Sequence, residues 1–470
     1  MNITSIKTSL LLSTYGDSLG WITEFIKDES ELEKIWGNKQ KITKLKDWSK
    51  KVGGPYYGYI DQIKKGSYSD DTQLMLCILR CIKSAGNSQG IEKLIVDSDI
   101  FSKHELVNWI NYSRGAGATI KNAARKMKRK KANNFSNFFT FKSRKKTIDY
   151  RDSGANGAAM RVLPMGIYYD NKELLIQDVF INSISTHGHP TAIIGAILYA
   201  LSINFLKEPR FCYNPKFNKL SYLSTLGEYF KKNLKKPKIS NSSLKDWLNE
   251  WEKNNNNFES EYDKSYQICL NQLRLIYKAL ENDTDPKKVL NELGCFDQET
   301  KGSGISTVVA GIYMFLFYSN DNLFKGVIES VNMLGSDTDS IAAFCGGLTG
   351  YLKGDENIFK DKDFNELKKV QDFDYIIDQV EKISEKNYYY SNIRKEVFKN
   401  QNKHDSINEI EEDKYSLNDV VYFYPLGDGE ITFIDRQDTI VDGKYNLIIG
   451  VNFDIGQSCI FSKTFETLID

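Results

Sequence analysis

An all-α fold with a small β-rich module near its C-terminal end is what this sequence predicts, on three observations. Apolar residues recur at helical spacing from the start to about residue 390, as in Ile193, Ile197, Ala200 and Leu201 or Val308, Val309, Tyr313 and Leu316. Only eight prolines interrupt 470 residues, which favours a compact multi-helix domain over alternating strands and helices. After about residue 400 the texture changes to short β-branched and aromatic runs at 420–424, 429–434 and 445–451, with Asp428-Gly429 and Asp442-Gly443 as turn residues between them. The expected organisation is a helical domain over 1–395 with insertions near 121–148 and 207–263, a charged linker over 396–414, and a β-rich module over 415–470, either a meander or an open barrel.

Bulk properties narrow the class. Hydrophobic residues at 41% and charged residues at 27% are those of a globular protein. The net charge of +1 gives the whole molecule no field that demands nucleic acid or an anionic membrane. Seven cysteines, odd in number, scattered and without CxxC spacing, read as reduced core thiols. The N-terminus lacks a basic stretch followed by an uninterrupted apolar core, and no run approaches the roughly 18 apolar residues of a membrane span. A cytoplasmic address and no membrane partner are expected.

Taken in chain order, Gly16-Asp-Ser-Leu-Gly-Trp-Ile-Thr-Glu24 has glycines that let backbones approach closely, and then a carboxylate. Ser69, Asp70 and Asp71 precede an apolar run at helical spacing, Leu74, Cys77, Ile78 and Cys81. Residues 121–146 hold eleven Lys or Arg and no acid, interleaved with Phe135, Phe138, Phe139 and Phe141. They suit an anionic partner, nucleic acid or an acidic protein, although a solvated, partly mobile loop is the plainer reading. Ser153-Gly-Ala-Asn-Gly-Ala-Ala-Met-Arg161 is a small-residue loop through which backbone N–H groups can reach a phosphate or a sugar. Thr186-His-Gly-His-Pro190 sets two imidazoles beside a helix start. Residues 207–263, with four consecutive asparagines at 254–257 and many lysines, read as a low-complexity surface excursion.

The last of these stretches, Leu334-Gly-Ser-Asp-Thr-Asp-Ser340, repeats the design of the one at 69–71: Asp337, Asp339 and Ser340 stand directly ahead of small apolar residues. One such group is explained by helix capping. Capping needs one side chain, however, and adjacent carboxylates repel each other unless a cation lies between them. Brought face to face, Ser69, Asp70, Asp71, Asp337, Asp339 and Ser340 offer four carboxylates and two hydroxyls, enough for two hard divalent ions.

In this order, the stretches at 16–24, 69–71, 153–161, 186–190 and 334–340 resemble the ADP-ribosylglycohydrolases related to dinitrogenase reductase-activating glycohydrolase, over roughly residues 5 to 375 without the two insertions. The resemblance implies an all-α fold for that part of the chain and a centre of two Mg²⁺, with Mn²⁺ as an alternative. It also implies an ADP-ribosylated protein or other ADP-ribosylated acceptor as substrate. Carried over by motif, Ser69, Asp70, Asp71, Asp337, Asp339 and Ser340 hold metal, and Ser153, Gly154, Asn156, Gly157, Met160 and His187 surround the ADP-ribose. Glu24 and Asp71 serve the reaction, and Arg161 stabilises the loop. Serine stands at 69 and 340 where the family commonly has threonine, which keeps the hydroxyl. Two other readings remain open: an ADP-ribose- or toxin-binding protein of the immunity type, and a two-metal phosphoesterase acting on a nucleotide.

Overall fold

Glycine decides how the first helix meets the core. In this computed structural model, which describes residues 2–53, 58–86, 92–143, 146–212, 217–239, 241–354, 362–385 and 407–466, helix α1 (Ile3–Gly20) lies along the helix Thr338–Lys353. A Cβ on Gly16 would stand 2.4 Å from the Ala342 carbonyl oxygen, and one on Gly346 would stand 2.3 Å from that of Leu12. Bare glycine at both positions is what lets the two backbones touch. The start of one helix, with Asp337 and Asp339, is thereby fixed beside the end of the other, which leads to Glu24.

Between them in sequence come α2 (Asp70–Arg80), α3 (Ala118–Met127), α4 (Lys172–Ile184) and α5 (Pro190–Leu206). They are followed by α6 (Lys219–Asn233), α7 (Ser242–Trp251), α8 (Phe258–Glu281) and α9 (Gly304–Phe317). With Thr338–Lys353 as α10 and Phe373–Ser384 as α11, these form the helical body. Helices α5 and α9 are apolar all round and almost wholly buried, as expected of helices at the centre of a core.

Three small antiparallel hairpins decorate this body: β1 (Trp48–Val52) with β2 (Tyr59–Ile63), β3 (Ile82–Gly86) with β4 (Glu92–Val96), and β5 (Thr140–Ser143) with β6 (Lys146–Asp149). The C-terminal module is an antiparallel meander of β7 (Val420–Phe423), β8 (Gly427–Asp438), β9 (Lys444–Phe453) and β10 (Ser458–Glu466), ordered β10-β9-β8-β7. The turn at Asp442-Gly443 falls where expected, with Gly443 at φ +77°. Asp428-Gly429 does not form a turn: both residues lie inside β8, where Gly429 pairs with Val421.

Three expectations change. The stretch 207–263 is no surface excursion, because α6, α7 and the start of α8 bury Tyr222, Phe230, Trp247, Trp251, Phe258 and Tyr262 in the core. The aromatic residues outweigh the lysines and asparagines, which occupy the outer faces. The basic segment is no mobile loop either: it comprises α3 and the hairpin β5–β6, with Ala123, Ala124 and Phe139 buried; Arg144 and Lys145 lie outside the described residues. Finally, the β module shares the helical core. Phe423 and Phe461 close on Tyr112 at 6.0 and 6.1 Å, and Ile407 and Ile410 are buried in the same cluster. The rest of the expected linker, 396–406, lies outside the described residues.

Candidate active site

Each acidic cluster sits at a helix start, for reasons the local sequence supplies. Ser69 is the N-cap of α2, its Oγ accepting from the Asp71 N–H at 3.2 Å. Ser69 thus performs the capping role, and Asp70 and Asp71 are left for other work. At α10 the N-cap position is Asp337, yet its side chain caps nothing. Its Oδ2 instead accepts from Asn156 Nδ2 at 2.7 Å, which ties the 153–161 loop to the second cluster. Ser340 Oγ donates to Asp71 Oδ2 at 2.8 Å, joining the two clusters directly.

The two starts face one cavity of about 470 Å³, into which Glu24, Asp70, Asp71, Asn156, Gly157, Met160, His187, Asp337, Asp339 and Ser340 all open. Carboxylate oxygens of Glu24, Asp337 and Asp339 lie within 4.8 Å of one another. Ser69, Ser153 and Gly154 stand behind this wall. Ser153 Oγ is buried without a hydrogen-bond partner, and a Cβ on Gly154 would meet the His189 ring. His189 caps α5 through Nδ1, 3.1 Å from the Thr191 N–H.

The loop is held from beneath. Arg161, fully buried, donates to the Gly157 carbonyl at 2.8 Å, to the Asn182 side chain and carbonyl, and to Thr186 Oγ1. Burial without a carboxylate partner lowers its guanidinium to about 9. A Cβ on Gly157 would stand 2.7 Å from the His187 ring, so glycine is what lets that imidazole line the cavity. Burial, and then the neighbouring Arg161 charge, push His187 down to about 3, so it is neutral.

The acids themselves are pushed the other way. Burial first, then the Asp337 and Asp70 charges, raise Glu24 to about 8 against the opposing pull of Lys50. Burial and Asp17 raise Asp70 to about 7. Asp71 and Asp339 are raised well above the carboxylate range, mainly by burial and then by neighbouring acids. Gathering this much negative charge in a half-closed cavity is costly unless a cation shares it. The donor set is all oxygen, carboxylate and hydroxyl, which suits Mg²⁺ or Mn²⁺ and not a soft metal.

Asp17, Lys50 and Lys301, the last lining the cavity and donating to the Glu24 carbonyl at 3.1 Å, were missed from sequence. Asp17, on the buried face of α1, accepts from the backbone N–H groups of Ser69 at 3.1 Å and Thr72 at 3.0 Å, and so holds the start of α2. A carboxylate within an apolar helix interior is the signal that could have found it. Lys50, on β1, places Nζ 4.0 Å from Glu24 Oε2 and 3.6 Å from the Phe25 ring centroid. Its charge also acts on Asp339 and Asp70. No local pattern marks it, because the hairpin fold alone brings it to the cavity.

Comparison with known proteins gives the family of the chain. The family model described as ADP-ribosylglycohydrolase matches residues 3–390. ADP-ribosylhydrolase ARH3 of Xenopus tropicalis is 26% identical over 227 residues, 46% of this chain, and the match spans 57% of that relative's length. A solved chain titled "ADP-ribosylglycohydrolase-related protein complex" superposes with a TM-score of 0.48 at 15% identity, over 83% of this chain and 100% of that one. The chain belongs to the ADP-ribosylglycohydrolase family.

Proposed function

We propose that the protein is a metal-dependent hydrolase that removes ADP-ribose from an ADP-ribosylated acceptor by water attack at the anomeric carbon of the ribose. The observation that carries the reading is the single cavity in which carboxylates from the end of α1, from α2 and from α10 face Asn156, Gly157 and His187. Asp70, Asp71, Asp337, Asp339 and Ser340 would hold the metal pair, and Glu24 lies within reach of it. When bound, two such ions supply Lewis-acid anchoring of vicinal ribose hydroxyls and lower the pKa of a water.

The chain's own residues do the remainder. Asn156, hydrogen-bonded to Asp337, and the Gly157 backbone line the cavity beside the carboxylates, where they orient the sugar. Asp71, steadied by the Ser340 hydroxyl, and Glu24 at the half-buried mouth are the two carboxylates able to take the water's proton. The ring of acids also stabilises the positive charge that develops at the anomeric carbon as its bond to the acceptor breaks. His187, held neutral by burial, adds no positive charge against it.

The test is release of free ADP-ribose from labelled ADP-ribosyl-arginine protein, ADP-ribosyl-serine peptide and ADP-ribosylated DNA. Release with Mg²⁺ or Mn²⁺, stopped by a chelator and lost in Asp337→Ala, is expected. No release from any substrate, with ADP-ribose still bound in calorimetry, would sink the hydrolase reading in favour of a binding protein. Release of phosphate in its place would point to a phosphoesterase.

A further inference from the structure

Beside the active site runs a second cleft, of about 590 Å³, lined by four cations of which Arg151 alone has a carboxylate partner among the described residues. Arg125, Lys126 and Arg129 line it from the C-terminal half of α3 and the turn after it, and no acid pairs with any of them among the described residues. Arg80, Arg114, Arg151 and Arg210, by contrast, each sit on a carboxylate. The two acids of the cleft are already engaged, Asp149 with Arg151 and Glu250 with Lys253. The unpaired charge therefore faces the opening.

Helix α3 runs from the active site to this cleft. Gly117, Ala118, Thr119 and Ile120 at the N-terminal end of that helix line the carboxylate cavity, and Lys121, one residue on, is close enough to Asp70 for their charges to interact. Lys121 and Arg125 then follow four residues apart on α3, and Arg129 comes four residues later in the turn just past its end. Four residues advance ~6 Å along the axis of α3. That is the spacing of successive phosphates on an extended single strand. The opposite wall is planar: the Arg151 guanidinium lies 5.0 Å over the Phe138 ring, with its N–H groups taken up by Asp149 and the Glu250 and Trp251 carbonyls. A platform of this kind stacks a nucleobase, and acidic side chains have no face to offer it.

We propose that this cleft binds the backbone of a single-stranded nucleic acid whose ADP-ribosylated nucleotide enters the carboxylate cavity, so that the acceptor in the reaction is a nucleic acid. The inference rests on the hydrolase reading for the catalytic half alone; binding by the cleft stands or falls separately.

The experiment is fluorescence anisotropy of labelled single-stranded DNA and RNA oligonucleotides with the full chain, alongside turnover. Three phosphate contacts make affinity fall roughly 20-fold between ~50 and ~200 mM salt. Arg125→Glu with Arg129→Glu, both at exposed positions, should weaken binding at least ten-fold, on the order expected for two lost and reversed contacts. The same double variant should raise KM for an ADP-ribosylated oligonucleotide and leave ADP-ribosyl-peptide turnover and the melting temperature unchanged. Absence of oligonucleotide binding, equal binding by the variant, or displacement by polyglutamate as effective as by an oligonucleotide of equal charge would each overturn the proposal. Oligonucleotide binding with no ADP-ribose released from any substrate would leave the cleft intact and remove the hydrolase.

Discussion

At the scale of single residues, buried charge governs what this site tolerates. Asp17 holds two backbone donors at the start of α2, and Asp17→Ala would leave both buried without an acceptor. A loss of about 2–4 kcal/mol is expected in urea unfolding, together with weaker Mg²⁺ binding in calorimetry. Lys50 acts on the cavity's acids from beside it, together with Lys301 in its lining. Lys50→Met should tighten divalent-ion affinity, on the order of ten-fold for one repulsive charge, while lowering the melting temperature of the metal-free protein. An unchanged affinity would show that the ammonium is screened from the ions. The same charges set a pH dependence for the metal-free protein. Glu24 and Asp70 are raised to about 8 and about 7, so the folded state binds their protons more tightly than the unfolded one. Stability is therefore fullest below about pH 4, where both states are protonated, and is lost as pH rises through 7 to 8. Melting at pH 5 should exceed melting at pH 8 without metal, and added Mg²⁺ should recover the difference at pH 8. The acids at the starts of α2 and α10 were legible in sequence because doubled carboxylates at a helix start are excessive for capping, whereas Glu24 was marked only by the family resemblance. Asp17, Lys50 and Lys301 were not legible, since only tertiary folding gives them their neighbours.

Among elements, the pairing of α1 with α10 carries the site. Where a Cβ at Gly16 would press to 2.4 Å from a carbonyl oxygen, Gly16→Ala must force the helices apart. A destabilisation of about 1–3 kcal/mol is expected, along with a larger proportional loss of metal affinity than of stability, because α10 opens with Asp337 and Asp339 while Asp17 of α1 holds the start of α2 with Asp70 and Asp71. Helix existence was readable from 3.6-residue periodicity, as in α5 and α9. The basic and asparagine-rich segments were misjudged for one physical reason. Their composition is dominated by the outward face, whereas their structure is decided by a few inward aromatic residues such as Trp247 and Phe258. The small hairpins escaped notice because five-residue strands of mixed polarity, such as Trp48–Val52, give too short a signal.

Across the whole molecule, helical body and β module share one packed core. Arg80 at the end of α2 donates to Glu105, to Tyr375 of α11 and to Gln457 in the turn before β10, all buried. Arg80→Met would strand the Glu105 carboxylate in the core at about 3–5 kcal/mol. Thermal unfolding followed by tyrosine and tryptophan signals should show one transition. Two separated transitions would mean that module and body fold independently. The module was legible as strands from its β-branched runs, while its docking was not, because the contacts of Phe423 and Phe461 with Tyr112 join residues some three hundred positions apart in sequence.

Helix α2 thus has Asp70 and Asp71 at one end and the Arg80 network at the other, a rigid rod of about 16 Å. A rod transmits constraint in both directions, and reciprocity requires that whatever the ions do to the module, the module does to the ions. Amide hydrogens around Gln457 and Ser458 should therefore exchange more slowly once Mg²⁺ is bound, although they lie far from any metal-binding oxygen.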